Sequence, residues 1–200
     1  GEAFCRHLLY SQKFFKENFG FTVRTGYNVD SFGHNGMLPQ LLKKAGIDNY
    51  IYQRPDNRLE KPNLPFENLH DWMSPDGSVV STFHLPDGYG GDVHEERLDE
   101  HYYNKNQPMM VLFGVGNHGG GPSKKHLENA EKLILGGNFK YSTPDEYFEE
   151  TKAVARPLVA EDLQHHASGC YSANSRIKEL NRRAETELVT AEKLDVLANL

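Results

Sequence analysis

The chain has 200 residues, 38% hydrophobic and 25% charged. That is enough for one sizeable domain, or one domain and part of a second, and it is too apolar for a disordered tail. The net charge of −6, with basic residues scattered, argues against nucleic acid or an anionic membrane as partner; no run approaches the roughly 18 apolar residues of a membrane span, Gly1 to Tyr10 carries charges and is no signal peptide, and Cys5 and Cys170 alone form no disulfide framework, so a reducing, cytoplasmic setting is expected.

In chain order, Phe4, Leu8, Phe14 and Phe15 recur near helical period, and Gly20 follows as a stop, which predicts a helix over the first eighteen residues. Phe21 to Val29 is rich in aromatic and β-branched residues and reads as a strand. A glycine-containing turn, Asp30 to Gly36, leads to a short helix over Pro39 to Ala45, closed by Gly46. Tyr50 to Gln53 is a short strand. Pro55, Pro62 and Pro65, with Pro75 beyond, make Arg54 to Ser74 read as an excursion. After the Asp76-Gly77 turn, Ser78 to His84 reads as a third strand, Val93 to Asn104 as a polar helix and Met109 to Gly114 as a buried strand. Ser123 caps a helix over Lys124 to Leu135, Phe139 to Tyr141 reads as a last strand, and Thr143-Pro144-Asp145-Glu146 opens another helix. Strands alternating with helices predict an α/β fold with parallel strands.

Past Val154 the pattern changes. A long amphipathic helix from Asn174 to the end spaces Ile177, Leu180, Ala184, Leu188, Ala191 and Leu194 by three or four, with Glu179 and Arg183 as an i,i+4 pair. At about 40 Å it wants partner helices, and it reads as the first helix of a bundle. The expected division is a domain over 1–155 and the start of a second over 156–200.

Three segments carry candidate chemistry. Asn28-Val29-Asp30-Ser31-Phe32-Gly33-His34 puts a carboxylate where a strand ends, the place where α/β folds display catalytic groups; a lone Asp there also forms turns or caps helices. Gly114 to Pro122 contains a formal G-x-G-x-x-G, the layout of a dinucleotide turn. It has extra glycines and a terminal Pro, and no acidic residue stands at the end of the next strand about twenty positions on; a loop that admits a ligand close to the backbone is the other reading. Gln164-His165-His166 could supply one metal ligand and one supporting group, since adjacent side chains diverge. Residue chemistry alone thus supports an enzyme, with a metal as one candidate cofactor, without naming a reaction.

At these same residues the chain resembles the class II α-mannosidases, glycoside hydrolase family 38. Asn28 to His34 resembles their nucleophile motif, Gln164-His165-His166 their second metal motif, and Gly114 to Pro122 the glycine-rich version of bacterial members. Ser172 to Leu188 resembles the start of their helical middle domain. The similarity covers nearly the whole chain, in the family's order. It implies part of a seven-stranded β/α barrel followed by the first helix of a three-helix bundle, the chain looking like an internal fragment. It also implies zinc-dependent retaining hydrolysis of terminal α-mannosides in oligosaccharides, with a homo-oligomer as the candidate assembly of the full-length enzyme. Asp30 would be nucleophile and zinc ligand, His166 (with His165 as the alternative) a zinc ligand, and Arg54, His84 and Asn117 substrate-binding.

The sequence departs from the family in three ways. No His-x-Asp zinc pair precedes Asp30; no carboxylate stands near Asn117-His118, so His118 is the candidate proton donor; and Ala167 and His84 replace acids that touch sugar in animal members. Two other readings stay open: a dinucleotide-dependent oxidoreductase using Gly114 to Gly119, and a sugar-binding module without activity.

Overall fold

A computed structural model describes residues 1–55, 68–86, 88–95, 97–98, 107–116, 119–164, 167 and 169–200. The chain divides into two compact units, residues 1–166 and 167–200.

The first unit opens with α1 (Glu2–Phe19), which Gly20 ends in a left-handed conformation. Gln12 anchors it: the side-chain amide donates to the carbonyls of Val23 and Ala45 and accepts from Val23 N–H. A sheet follows, built from β1 (Thr25–Tyr27), β2 (Asn49–Tyr52), β3 (Leu69–Met73), β4 (Val79–His84) and β5 (Leu158–Val159), with α2 (Leu38–Lys44), α3 (Lys124–Leu135) and α4 (Pro144–Glu150) between strands. The spatial order is β1-β2-β4-β3-β5. β1, β2 and β4 run parallel, β3 is antiparallel to β4, and β5 is parallel to β3.

Alternation along the strands fills a core on each face. Tyr50 and Tyr52 of β2 join Trp72, Val80, Leu38, Leu42 and Leu163 on one side. Ile51 joins Val29, Leu69, Phe83, Leu85 and the α4 residues Tyr147 and Phe148 on the other. A sheet covered on both faces suits a largely parallel α/β arrangement.

The helices expected from the sequence are present within a residue or so, except that of Val93 to Asn104, most of which lies outside the described residues. The strands differ more. Phe21 to Val29 contributes only Thr25–Tyr27, because Val29 leaves the sheet to enter the second core. The excursion at Arg54 to Ser74 contains β3, whose Leu69 and Trp72 are fully buried on opposite faces. β3 also makes the sheet mixed rather than all-parallel. Met109 to Gly114 forms no strand; it joins the sheet's second core through Met110, and Gly114 makes an isolated pairing with Gly91. Phe139 to Tyr141 is likewise irregular, with no strand beside it among the described residues.

In the second unit, Asn174 caps α5 (Ser175–Ala198) through Ile177 N–H, and no residue of this helix is buried. Glu179 pairs with Arg176 and Arg183 with Glu187, in place of the Glu179–Arg183 pair expected. Among the described residues no helix is long and apolar enough to cross a membrane.

α4 carries Tyr147 and Phe148 into the second core, and its start is a reciprocal capping box between Thr143 and Glu146. Thr143→Ala should lower the unfolding free energy by about 1 kcal/mol. Urea unfolding followed through Trp72, the single tryptophan, measures it; an unchanged midpoint would mean that the box contributes nothing.

Candidate active site

The three parallel strands deliver three loops to one end of the sheet. The first follows β1. Asn28 N–H still reaches Ile51 O, Val29 is buried, and its carbonyl accepts from Arg54 N–H at 3.2 Å. Asp30 then turns outward and is half-exposed. The loop is closed by Gly33 and His34. Gly33 has φ of 135°, and a Cβ there would stand 3.0 Å from the Gln164 Cα, so only glycine fits this approach. His34 and Leu163 exchange both backbone hydrogen bonds, at 2.8 and 3.0 Å. The Asp30 loop and the segment entering Gln164-His165-His166, 130 residues apart in sequence, are thereby held side by side. His165 and His166 themselves lie outside the described residues.

His34 is buried among Tyr50, Tyr52 and Trp72. Its Nε2–H donates to the Arg54 carbonyl at 2.7 Å, so Nδ1 is left to accept from the Tyr50 hydroxyl at 2.8 Å. Burial pushes the imidazole pKa down, only partly offset by the Arg54 carbonyl, and holds the Tyr50 phenol well above its ordinary range. Both groups are therefore neutral and the tautomer is fixed. Asn28 also hydrogen-bonds the Tyr50 hydroxyl, and its Oδ1 accepts from Ser31.

The second loop follows β2 and carries Arg54. Its Nε donates to Asp30 Oδ1 at 2.8 Å, and the guanidinium carbon lies 5.5 Å from the centre of the Phe32 ring. With both partners more than a third exposed, the pair contributes little stability, about 0.2–1 kcal/mol. What it does is orient a carboxylate oxygen. The Arg54–Pro55 peptide is cis.

The third loop follows β4. His84 is buried, its ring against Tyr52 and its Nε2 donating to Gln53 O at 2.8 Å, so it braces the backbone next to Arg54. Further along, Tyr89 lies near enough to Asp30 to feel its charge. Loss of solvent first, and the Asp30 charge second, raise the Tyr89 pKa and keep the phenol protonated. Tyr27, at the end of β1, lies close enough for Tyr89 to raise its pKa further beyond what burial does. Neither tyrosine stood out in the sequence, where the segment from Pro86 to Gly91 reads only as a loop.

The glycine-rich run is seated on this third loop. Gly114 and Gly91 pair through both backbone bonds, Val115 N–H reaches Gly121 O, and a Cβ on Gly90 would lie 3.0 Å from the Gly116 Cα. Asn117 and His118 lie outside the described residues. Its described residues lack the setting of a dinucleotide turn: no strand leads into them, and α3 begins only at Lys124, with the His126 N–H already capped by Ser123. Among the described residues no three His, Cys, Asp or Glu side chains are grouped to hold a metal. A cavity of about 390 Å³ lined by Met110, Phe139 and Tyr147, and one of about 370 Å³ lined by Arg24, Asp48 and Arg156, both leave Asp30 out.

The His34 burial has a consequence for stability. Its folded pKa lies below the unfolded value of about 6.5. The unfolded chain therefore binds the proton first as pH falls, and the stabilisation present above about pH 6.5 is lost progressively below it. Between pH 7.5 and 5.5 the native chain should lose more unfolding free energy in urea than His34→Gln, which is less stable throughout but flatter with pH. Parallel slopes would show that His34 is not held neutral.

Residues 1–169 match the model of the glycosyl hydrolases family 38 N-terminal domain. The chain is 31% identical over 208 residues to alpha-mannosidase G of Dictyostelium discoideum, covering 97% of this chain and 19% of that protein. It is 30% identical over 211 residues to human alpha-mannosidase 2C1, covering 99% and 20%. It thus spans about a fifth of the length of these relatives. Its fold is similar to the crystal structure of an alpha-mannosidase from Enterococcus faecalis V583, with a TM-score of 0.59 at 18% identity, over 81% of this chain and 20% of that one. The matched model takes in the Asp30 loop, Arg54, the glycine-rich run and the segment at Gln164, and the chain belongs to glycosyl hydrolase family 38.

Proposed function

We propose that the protein hydrolyses terminal α-mannosides in oligosaccharides with retention of configuration, using zinc, and that this chain supplies its nucleophile. The observation that carries the reading is the pairing of His34 with Leu163, which seats the half-exposed Asp30 beside the entry to His165-His166 while Arg54 holds one carboxylate oxygen.

In the first step an Asp30 carboxylate oxygen attacks the anomeric carbon, the glycosidic bond breaks, and the leaving oxygen takes a proton from the general acid, for which His118 is the candidate. In the second, water attacks the same carbon, returns a proton to that acid and frees the carboxylate. Arg54 and Asn117 are the proposed sugar contacts, with Arg54 also aligning Asp30; His84, expected to touch the sugar, is buried with Nε2 on the Gln53 carbonyl and supports that surface from behind. A zinc ion suits the donor types present: a carboxylate and a histidine are common members of a zinc set. Asp30 and His166 would hold it, with further ligands from elsewhere in the protein. When bound it supplies Lewis acidity and a template for sugar hydroxyls.

The sheet of the first unit is, in this reading, part of a seven-stranded β/α barrel, which was expected over 1–155 and reaches beyond it because β5 and Leu163 belong to that unit. Helix α5 then begins a three-helix bundle whose other helices cover its apolar stripe.

The test uses the longest polypeptide the gene encodes, assayed on 4-nitrophenyl α-mannoside. Turnover should depend on zinc, vanish with a chelator and return with the metal, and the first-formed sugar should be the α-anomer by NMR. Asp30→Asn should lower kcat by about a thousandfold or more. A variant that kept a tenth of the native turnover, or a β-anomeric product, would overturn the assignment.

A further inference from the structure

Arg54 lies beyond the end of β2, whose ladder with β4 stops at the Tyr52–His84 pair. A residue past a strand end keeps its direction only where its backbone groups find partners. Toward β1, Arg54 N–H reaches Val29 O at 3.2 Å. Toward β4, Leu85 N–H reaches Tyr52 O at 2.9 Å. The next two carbonyls, those of Gln53 and Arg54, are met by imidazoles.

His84 Nε2 stands 2.8 Å from Gln53 O, and His34 Nε2 stands 2.7 Å from Arg54 O. A carbonyl oxygen only accepts, so each Nε2 carries a proton. Both rings are buried, and both pack on the Tyr52 ring, with centroids 4.9 and 5.3 Å away. The two carbonyls belong to the peptides on either side of the Arg54 Cα. With both peptides held, the φ and ψ of Arg54 are set, and with them the direction in which its side chain leaves the backbone. That side chain brings Nε to Asp30 Oδ1 at 2.8 Å.

We propose that His84 is a positioning residue for Arg54: its Nε2–H, together with that of His34, pins the two peptides flanking the Arg54 Cα and so places the guanidinium where it orients Asp30. The proposal rests on the reading of Asp30 as nucleophile.

His84 is the cleaner probe, since His34 also joins the Asp30 loop to Leu163. His84→Gln keeps an N–H long enough to reach the Gln53 carbonyl. His84→Phe keeps a ring for Tyr52 without the donor, and His84→Asn keeps an amide too short to reach. Each is made alone and together with Arg54→Gln, in the longest polypeptide the gene encodes, and treated with a fluorinated mannosyl fluoride. In that reaction a carboxylate oxygen bonds to the anomeric carbon, the C–F bond breaks and fluoride leaves without needing a proton, so the trapping rate reports the attack itself. Peptide mapping locates the label, and thermal midpoint and zinc content are measured in parallel.

The expected result is a label on Asp30, trapping slowed about tenfold or more in His84→Phe and His84→Asn, and His84→Gln within about threefold of native. Beside Arg54→Gln the same substitutions should change the rate by no more than about twofold, because the group they misplace is already gone. Zinc content should be unchanged. A label on Asp30 with unaltered trapping in His84→Phe and His84→Asn overturns the role of His84 and leaves the nucleophile in place; if one of the two fails to fold, the other decides. Equal losses with and without Arg54, loss of zinc, or loss of the fold in both variants shows that His84 acts on the structure at large and overturns the proposal as well. A label elsewhere, or none, overturns the nucleophile reading together with the proposal.

Discussion

The site depends on one buried imidazole. His34 needs a donor on one ring nitrogen and an acceptor on the other, both satisfied without water: Nε2–H on the Arg54 carbonyl and Nδ1 facing the Tyr50 hydroxyl. Its own backbone is paired in both directions with Leu163. Three segments far apart in sequence therefore meet at one residue: the loop bearing Asp30, the strand end bearing Arg54, and the chain leading to Gln164. A charged imidazole would lose the acceptor and would be stranded among aromatic rings, so the arrangement holds only while His34 is neutral.

The two ends of the sheet do different work. At the C-terminal ends, β1 leads to Asp30, β2 to Arg54 and β4 to Tyr89, so parallel strands bring their following loops to one edge. At the N-terminal ends the polar residues are paired with one another. Lys43 hydrogen-bonds Asp48 and holds its carboxyl below the usual range, helped by Arg24. Asp71 is raised by burial, with Arg156 at 3.6 Å opposing that rise. Charges matched in this way tie strand ends together, while the half-exposed Asp30 has room for a ligand on its outer side.

Legibility in the sequence followed the strength of local signals. The helices announce themselves through Gly20, Ser123, Thr143 and Asn174, each of which closes or caps a helix with its own atoms, and the structure has them there. The strands are too short to show a period. β5 has two residues, and β3 hides His70 and Asp71 among prolines and polar letters, since its place in the sheet is set by tertiary burial of Leu69 and Trp72 rather than by alternation. Asp30 and Arg54 were legible because the motifs around them are distinctive. His34 was not, because a histidine letter says nothing about burial, and its partners Tyr50 and Leu163 are distant in the chain.

The glycines of the Gly114 run were the most ambiguous letters, since the same spacing serves a phosphate cradle. Their use here is different. Gly114, at φ of 134°, pairs with Gly91, and Gly116 lies where a Cβ on Gly90 would collide. Two backbones thus pack on each other without intervening side chains. The constraint falls on Gly90, where a Cβ would crowd the Gly116 backbone, and on Gly91 and Gly114, which hold positive φ. With the backbone held by these glycine contacts, the Tyr89 ring packs against the core that contains Val29, the residue before Asp30.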